Sequence, residues 1–138
     1  MLTPYAAVFA LAIMGVNETV YLIRKRLAMT IPICPIGTEC DKVLTSKHKN
    51  ILIISLDVWG LIFYCTISIS CALVVIGVGG AVFWELFISS LVALAAVLSL
   101  FFTYLQWKVI KAWCFWCLTS AFTVWTMGAI IVLSKVIK

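Results

Sequence analysis

Four of the six cysteines in this chain fall into two pairs whose spacing suits redox chemistry. Cys114 and Cys117 form a C-x-x-C motif near the start of an apolar segment. Residues at i and i+3 share a helix face, so these two sulfurs are close enough to form a disulfide. The dipole and unpaired N–H groups at a helix N-terminus favour the thiolate, which is the reactive form of cysteine. The pair is therefore a candidate thiol–disulfide centre.

The other pair, Cys34 and Cys40, lies in the most polar stretch of the chain. A proline and a glycine between them favour a turn that brings the two sulfurs together. Thr38 and Asp41 resemble a capping box, which predicts a short amphipathic helix from about Cys40. Thiol–disulfide exchange moves two electrons through a mixed disulfide, so one pair can pass electrons to the other. A cysteine pair in a loop is suited to accept electrons from a soluble thiol protein. A cysteine pair at the bilayer is suited to pass electrons to a lipid-soluble oxidant.

The composition predicts that the surrounding elements are membrane-spanning helices. The chain has 138 residues, of which 65% are hydrophobic and 11% charged, whereas soluble domains are about 45–50% apolar and about 25% charged. A spanning helix needs about 20 apolar residues, so this length allows four and leaves no room for a soluble domain. We predict one transmembrane domain over 1–138, an all-α four-helix transmembrane bundle. The predicted spans are about 4–23, 51–76, 82–105 and 112–133.

The connections between these spans set which residues meet. The cysteine loop covers 27–50, the glycine-rich stretch 77–80 predicts a tight hairpin, and 106–111 predicts a short interfacial loop. Short connections give an up-down-up-down bundle, in which the first loop and the start of the fourth span lie on the same membrane face. The sequence therefore predicts that the two cysteine pairs converge on one membrane surface.

Several features have alternative interpretations. The net charge of +5 does not predict a nucleic-acid partner, because Lys and Arg beside apolar spans are ordinary membrane-interface residues. Glu18 lies inside the first span, where a carboxylate is a functional candidate by default. It reaches the interface, pairs with a cation of the loop, or serves a small four-helix proton-coupled transporter, which is the competing function. We interpret Cys65 and Cys71 as small apolar residues.

Two alternatives concern the four paired cysteines. One is a structural disulfide beside an inert C-x-x-C. The other is zinc ligation by four sulfurs, which the five-residue spacing in the loop and the apolar surroundings of the C-x-x-C disfavour. We therefore expect no metal.

Through these cysteines and a motif in the second span, the chain resembles the small microbial four-helix form of the vitamin K epoxide reductase family. The matching elements keep the order of the family from about residue 30 to 120: Cys34-Pro35, Cys40 followed by Val43 and Ser46, the stretch Trp59-Gly60-Leu61-Ile62-Phe63-Tyr64, and Cys114-x-x-Cys117. The combination is more specific than the C-x-x-C alone. The resemblance implies a membrane thiol:quinone oxidoreductase that generates protein disulfides.

The resemblance also implies a role for each matching residue. Cys114 and Cys117 are implied to be the active-site pair, with Cys117 beside the quinone. Cys34 and Cys40 are implied to shuttle electrons, with Cys40 exchanging with Cys114. The remaining implied roles are support of the loop helix by Ser46 and a quinone pocket lined by Trp59, Phe63 and Tyr64. Asp57, one helical turn before Gly60 of that motif, either bonds a quinone oxygen or faces interfacial water.

The departures from the family narrow the expected chemistry. Vertebrate enzymes carry a tyrosine shortly after the C-x-x-C, and residues 118–121 have none, so we expect quinone reduction rather than epoxide reduction. The acceptor is expected to be a menaquinone or ubiquinone type. Many bacterial relatives carry a fused thioredoxin-like domain, which this sequence lacks. We therefore expect the electron donor to be a separate soluble thioredoxin-like protein.

The sequence predicts a multi-pass protein of the cell membrane, and two arguments about its orientation conflict. The positive-inside rule places the cysteine face in the cytoplasm. Eight of the ten basic residues lie on that face, namely Arg24, Lys25, Arg26, Lys42, Lys47, Lys49, Lys108 and Lys111. The family resemblance favours the extracytoplasmic side, where oxidation is useful. The charge count favours the inward orientation.

Overall fold

The computed structural model describes residues 3–28, 50–51, 54–111 and 115–138. Within these ranges the chain forms four helices long and apolar enough to cross a membrane. They are α1 (Thr3–Leu27), α2 (Leu56–Ile76), α3 (Ala81–Tyr104) and α4 (Phe115–Ile137). A π-helix, Leu105–Ile110, continues from α3. The predicted fold class, an all-α four-helix transmembrane bundle, is confirmed.

The helices pack around one shared core. Helix α1 lies between α2 and α4, and α3 lies between the same two neighbours on the other side. All four helices contribute to the core, whose buried residues are Val8, Ala12, Tyr64, Ile67, Cys71, Ile88, Val92, Val124, Met127 and Ile131. Since consecutive helices run antiparallel, the C-terminal end of α1 and the N-terminal end of α4 lie at the same end of the bundle.

The predicted tight hairpin between the second and third spans is confirmed. Gly77 and Gly79 have φ angles of +82° and +79°, a left-handed conformation that glycine adopts without steric cost. The N–H groups of Gly77 and Val78 donate to the carbonyl of Leu73 at 3.0 and 3.1 Å, which closes the end of α2 as a Schellman motif. The indole Nε1 of Trp84 donates to the Val78 carbonyl at 2.8 Å. We call this end of the bundle the turn end.

The predicted start of the second span at residue 51 is wrong. Helix α2 begins at Leu56, and the residues before it form two short antiparallel strands, β1 (Asn50–Ile51) and β2 (Ile54–Ser55). Asn50 is opposite Ser55, and Ile51 is opposite Ile54. A run of isoleucine and leucine is equally apolar as a strand or as a helix, so hydropathy does not separate the two. Its β-branched residues favour the strand.

The predicted interfacial loop at 106–111 is also wrong. That segment is the π-helix Leu105–Ile110, and it lacks the glycine or proline that would interrupt helical structure. The helical path ends at Lys111, whose φ of +56° is left-handed. Helix α1 continues past the predicted end at 23 to Leu27, with three basic residues in its last turn. Basic side chains at that position interact favourably with the helix dipole. Helix α4 continues past 133 to Ile137.

Four predicted site residues, Cys34, Cys40, Ser46 and Cys114, lie outside the described residues. The predicted amphipathic loop helix near Cys40 lies there as well.

Candidate active site

The two chain segments that carry the cysteine pairs adjoin the same end of the bundle. Tyr21, near the end of α1, packs on Trp116, near the start of α4, with ring centroids 4.9 Å apart. Cys117 follows Trp116 in the first turn of α4 and is half-buried. The chain leaves α1 at this end toward the segment with Cys34 and Cys40, and Cys114 directly precedes α4. We call this end the cysteine end.

An ion pair ties the end of α1 to the start of α2 at the cysteine end. The Nε of Arg26 donates to Oδ2 of Asp57 at 2.9 Å. The side chain of Asp57 is 9% exposed and that of Arg26 is 39% exposed. Oδ1 of Asp57 also accepts a hydrogen bond from the N–H of Val58 at 3.1 Å. The carboxylate is thus held by protein donors, and its predicted bond to a quinone stays a prediction.

The three aromatic residues predicted to line a quinone pocket lie on two faces of α2. Trp59 is 37% exposed, and Phe63, four residues later, is half-buried on the same face. Tyr64 is 1% exposed and belongs to the bundle core. The rings of Phe63 and Tyr64 meet edge to face with centroids 5.1 Å apart. Trp59 therefore presents aromatic surface outward, Phe63 packs partly buried against the core, and Tyr64 faces the neighbouring helices.

Gly15 of α1, which has no side chain, leaves room for the ring of Tyr64. A Cβ atom at Gly15 would lie 2.4 Å from Cε1 of Tyr64, far inside any tolerated contact. The ring of Tyr64 therefore reaches across the bundle, and its hydroxyl lies 2.7 Å from Oγ of Ser120 on α4. The same hydroxyl donates to the carbonyl of Ser120 at 3.3 Å. Ser120 is three residues after Cys117, so the two share a face of α4.

Glu18 is buried inside the bundle. Its exposure is 9% and that of Thr19 is 4%, which does not fit the interpretation that Glu18 reaches the interface. The two residues belong to the buried face of α1, together with Val8, Ala12, Gly15 and Leu22. The carboxyl of Glu18 is near enough to the Tyr64 phenol to interact with it electrostatically. Membrane-buried carboxyl groups are rare and mark functional sites in many membrane proteins.

Sequence reasoning missed Ser120, Arg26 and Gln106 as site residues. Gln106 is 3% exposed and lies in the π-helix, a conformation often found at functional sites. It was missed because the segment was predicted to be a loop. Only the three-residue spacing from Cys117 marks Ser120 in the sequence. The pairing of Arg26 with Asp57 joins residues 31 positions apart, and no local pattern encodes it.

Aromatic side chains of α2 lie at the cysteine end. In the parts of the chain that the structure describes, no group of three or more His, Cys, Asp or Glu side chains could hold a metal ion. The exposed ring of Trp59 and the half-buried ring of Phe63 offer flat apolar faces, on which a planar ring compound packs well. These faces, together with Cys117 in the first turn of α4, fit a quinone chemically.

Comparison with known families gives a match over almost the whole chain. The model of the vitamin K epoxide reductase family matches residues 6–132. A search of curated proteins finds no match. The match supports a membrane oxidoreductase function of the quinone-linked kind.

Proposed function

This chain belongs to the vitamin K epoxide reductase family, and from that premise we propose that it is a membrane thiol:quinone oxidoreductase that generates protein disulfides. Electrons pass from a soluble thioredoxin-like protein to Cys34 and Cys40, then to Cys114 and Cys117, and finally to a quinone. The proposal for each cysteine follows its position in the family motif, since three of the four lie outside the described residues.

The contact between Tyr21 and Trp116, with ring centroids 4.9 Å apart, is the observation that best supports this relay. This contact joins the last turns of α1 to the first turn of α4. The segment with Cys34 and Cys40 follows α1, and the C-x-x-C stands at the start of α4, so both are connected to the same end of the bundle. A mixed disulfide between Cys40 and Cys114 needs this arrangement, because the two α-carbons of a disulfide lie within about 7 Å.

The chemistry of the relay follows from the thiols. When Cys114 and Cys117 form a disulfide, the pair gives up two electrons and two protons. Cys117 lies in the first turn of α4, directly after the segment that carries Cys114. A bound quinone supplies an acceptor for two electrons and two protons. Trp59 and Phe63 would hold it through apolar ring contacts, and Arg26 fixes the neighbouring Asp57.

The proposal is tested by quinone reduction with purified protein in detergent, a small dithiol and a soluble quinone, followed by absorbance. Wild-type protein is expected to reduce the quinone at a rate well above that of dithiol alone. A rate equal to the dithiol background would contradict the proposal. Trapping of a covalent Cys40–Cys114 link in a Cys34→Ala, Cys117→Ala double variant tests the relay itself.

The competing function, a proton-coupled transporter that uses Glu18, predicts a different result. There, Glu18→Gln would abolish substrate efflux while quinone reduction is absent from the wild type. Family membership favours the oxidoreductase. The buried position of Glu18 suits either function, and only the quinone assay separates them.

We propose that the cysteine end faces the cytoplasm. Eight of the ten basic residues lie on this side of the predicted topology, and cytoplasmic loops carry an excess of Lys and Arg. Labelling of Cys34 by a membrane-impermeant thiol reagent in intact cells would contradict this orientation. In inverted vesicles, the same reagent is expected to label Cys34.

A further inference from the structure

The interior of the bundle carries polar groups that the thiol relay does not use. Glu18 of α1, Tyr64 of α2 and Ser120 of α4 come from three different helices, and all three lie inside the membrane-spanning region. Glu18 is 9% exposed and Tyr64 is 1% exposed. Groups of this kind are costly to bury in a membrane, so their presence calls for a reason beyond packing.

The packing of α1 against α2 places Glu18 near Tyr64. Helix α1 meets α2 at two points on either side of Glu18. At the first, the Tyr64 ring fills the space over Gly15, and at the second the methyl group of Thr19 lies 3.1 Å from the Cβ position of Gly60. Glu18 lies on the same buried face and interacts electrostatically with the Tyr64 phenol.

A hydrogen bond connects Tyr64 to Ser120, which lies one helical turn from Cys117. The Tyr64 hydroxyl and Oγ of Ser120 are 2.7 Å apart, and either atom could donate. A hydrogen bond in which each partner can donate or accept lets a proton move in either direction. Ser120 is one helical turn from Cys117 on the same face of α4. Tyr21, three residues after Glu18, packs on Trp116, the neighbour of Cys117.

We propose that Glu18, Tyr64 and Ser120 form a proton-transfer path that serves the reaction at Cys117. This inference rests on the proposed function. Disulfide formation at Cys114 and Cys117 releases two protons and two electrons, and conversion of a quinone to a hydroquinone consumes two of each. The exchange therefore balances without protons from outside, but the protons must cross an apolar space. Glu18 gives one proton to the path through the Tyr64 and Ser120 hydroxyls and then regains one that the thiols release.

The carboxyl of Glu18 suits this role because it is 9% exposed and interacts electrostatically with the Tyr64 phenol. A neutral carboxyl can donate a proton to the path and recover it without leaving a charge in the bundle for long. Glu18 does not need to touch the thiol or the quinone, so it acts through Tyr64 and Ser120 as a positioning and relay residue.

Glu18→Gln tests the path, since it keeps the shape and hydrogen-bonding capacity of the side chain but removes the transferable proton. We expect kcat for quinone reduction to fall about 100-fold, a typical contribution of positioned proton transfer. KM for the quinone and the rate of disulfide exchange with a small dithiol should stay at wild-type values. The solvent deuterium isotope effect on kcat should increase, which a purely structural role would not cause.

Glu85→Gln is the matched control. Glu85 is another carboxylate within the described spans, but it lies at the turn end, where Oε2 is 3.7 Å from Nζ of Lys138. This variant should keep wild-type kcat and isotope effect. Glu18→Asp keeps the acid and should recover part of the lost rate.

A second readout does not involve a quinone. Infrared spectra of the resting protein should contain the C=O stretch of a protonated carboxyl group that disappears in Glu18→Gln and remains in Glu85→Gln. If Glu18→Gln does not fold, Ser120→Ala tests the same path, because it removes the hydroxyl that pairs with Tyr64. A fall in kcat with a raised isotope effect supports the path.

Wild-type values of kcat and isotope effect in Glu18→Gln, or in Ser120→Ala, would overturn the path and leave the proposed function in place. A wild-type protein that does not reduce quinone would instead overturn the proposed function.

Discussion

Helices α1 and α3 are nearly equal in length, 25 and 24 residues, yet the fold uses them in opposite ways. In its most apolar stretch, α1 buries 22% of its residues and α3 buries 11%, although α3 is the more apolar of the two. The buried face of α1 includes Glu18 and Thr19, whereas the buried residues of α3 are Ile88 and Val92.

This difference shows how a bilayer changes the usual relation between hydrophobicity and burial. Lipid tails are as apolar as a leucine side chain, so an apolar helix gains little by moving from lipid into the protein. Polar side chains gain much more by facing the interior, where they find partners. The less apolar helix is therefore the one that is packed and that contributes to the candidate site.

The same contrast exists between the two ends of the bundle. The cysteine end holds the Arg26–Asp57 pair at 2.9 Å with a carboxylate that is 9% exposed. The turn end holds the Glu85–Lys138 pair at 3.7 Å with a carboxylate that is 25% exposed. We expect substitutions on the α1 side and at the cysteine end to have larger effects than equivalent substitutions on α3 and at the turn end.

The largest expected effect is loss of the thiols at the cysteine end. Cys117→Ala and Cys114→Ala should each reduce the rate of quinone reduction to the dithiol background, because a single thiol cannot form the disulfide that releases two electrons. Cys65→Ala removes another half-buried thiol and should keep the wild-type rate. The absorbance assay measures all three. Full activity in Cys117→Ala would contradict the assignment.

The second effect compares two glycines in the bundle. Gly15→Ala should destabilise the protein by about 1–3 kcal/mol, as expected for overpacking, because its Cβ would overlap the Tyr64 ring at 2.4 Å. Gly128→Ala faces Val92 of α3 at an ordinary 3.7 Å and should be neutral or gain up to about 1 kcal/mol of helix propensity.

Equilibrium unfolding in mixed micelles of detergent and denaturing detergent measures both glycine variants. Equal stabilities for Gly15→Ala and Gly128→Ala would mean that the close contact of α1 with Tyr64 does not distinguish the two sides of the bundle.

A smaller effect should separate the two ion pairs. Asp57→Asn removes a charge-assisted hydrogen bond and an acidic side chain from the first turn of α2, so we expect a loss of about 1 kcal/mol. Glu85→Gln removes a longer, more exposed pair and should cost less than about 0.5 kcal/mol. The same unfolding experiment at low and high salt tests this, and a larger cost for Glu85→Gln would reverse the proposed contrast.

The smallest effect is expected on the outer face of α3. Val97 is 63% exposed, so Val97→Leu should change stability by less than about 0.5 kcal/mol and leave quinone reduction unchanged. A loss of more than about 1 kcal/mol would indicate that this face is covered by protein rather than lipid.

Much of this protein was determined by its sequence. Apolar runs of spanning length define the helices in any fold, because backbone groups in lipid must pair within their own segment. Glycines at 77 and 79 define the hairpin, since positive φ costs other residues energy. The cysteine spacing and the family motif identify the candidate chemistry.

Tertiary packing decided the remaining features. Hydropathy did not distinguish the strands Asn50–Ile51 and Ile54–Ser55 from the start of α2, nor the π-helix from a loop. Nothing local in the sequence pairs Arg26 with Asp57 or Tyr64 with Ser120, and no local pattern shows that Glu18 turns inward. The two pairings depend on which helix faces which, because Arg26 and Tyr64 each find a partner on another helix.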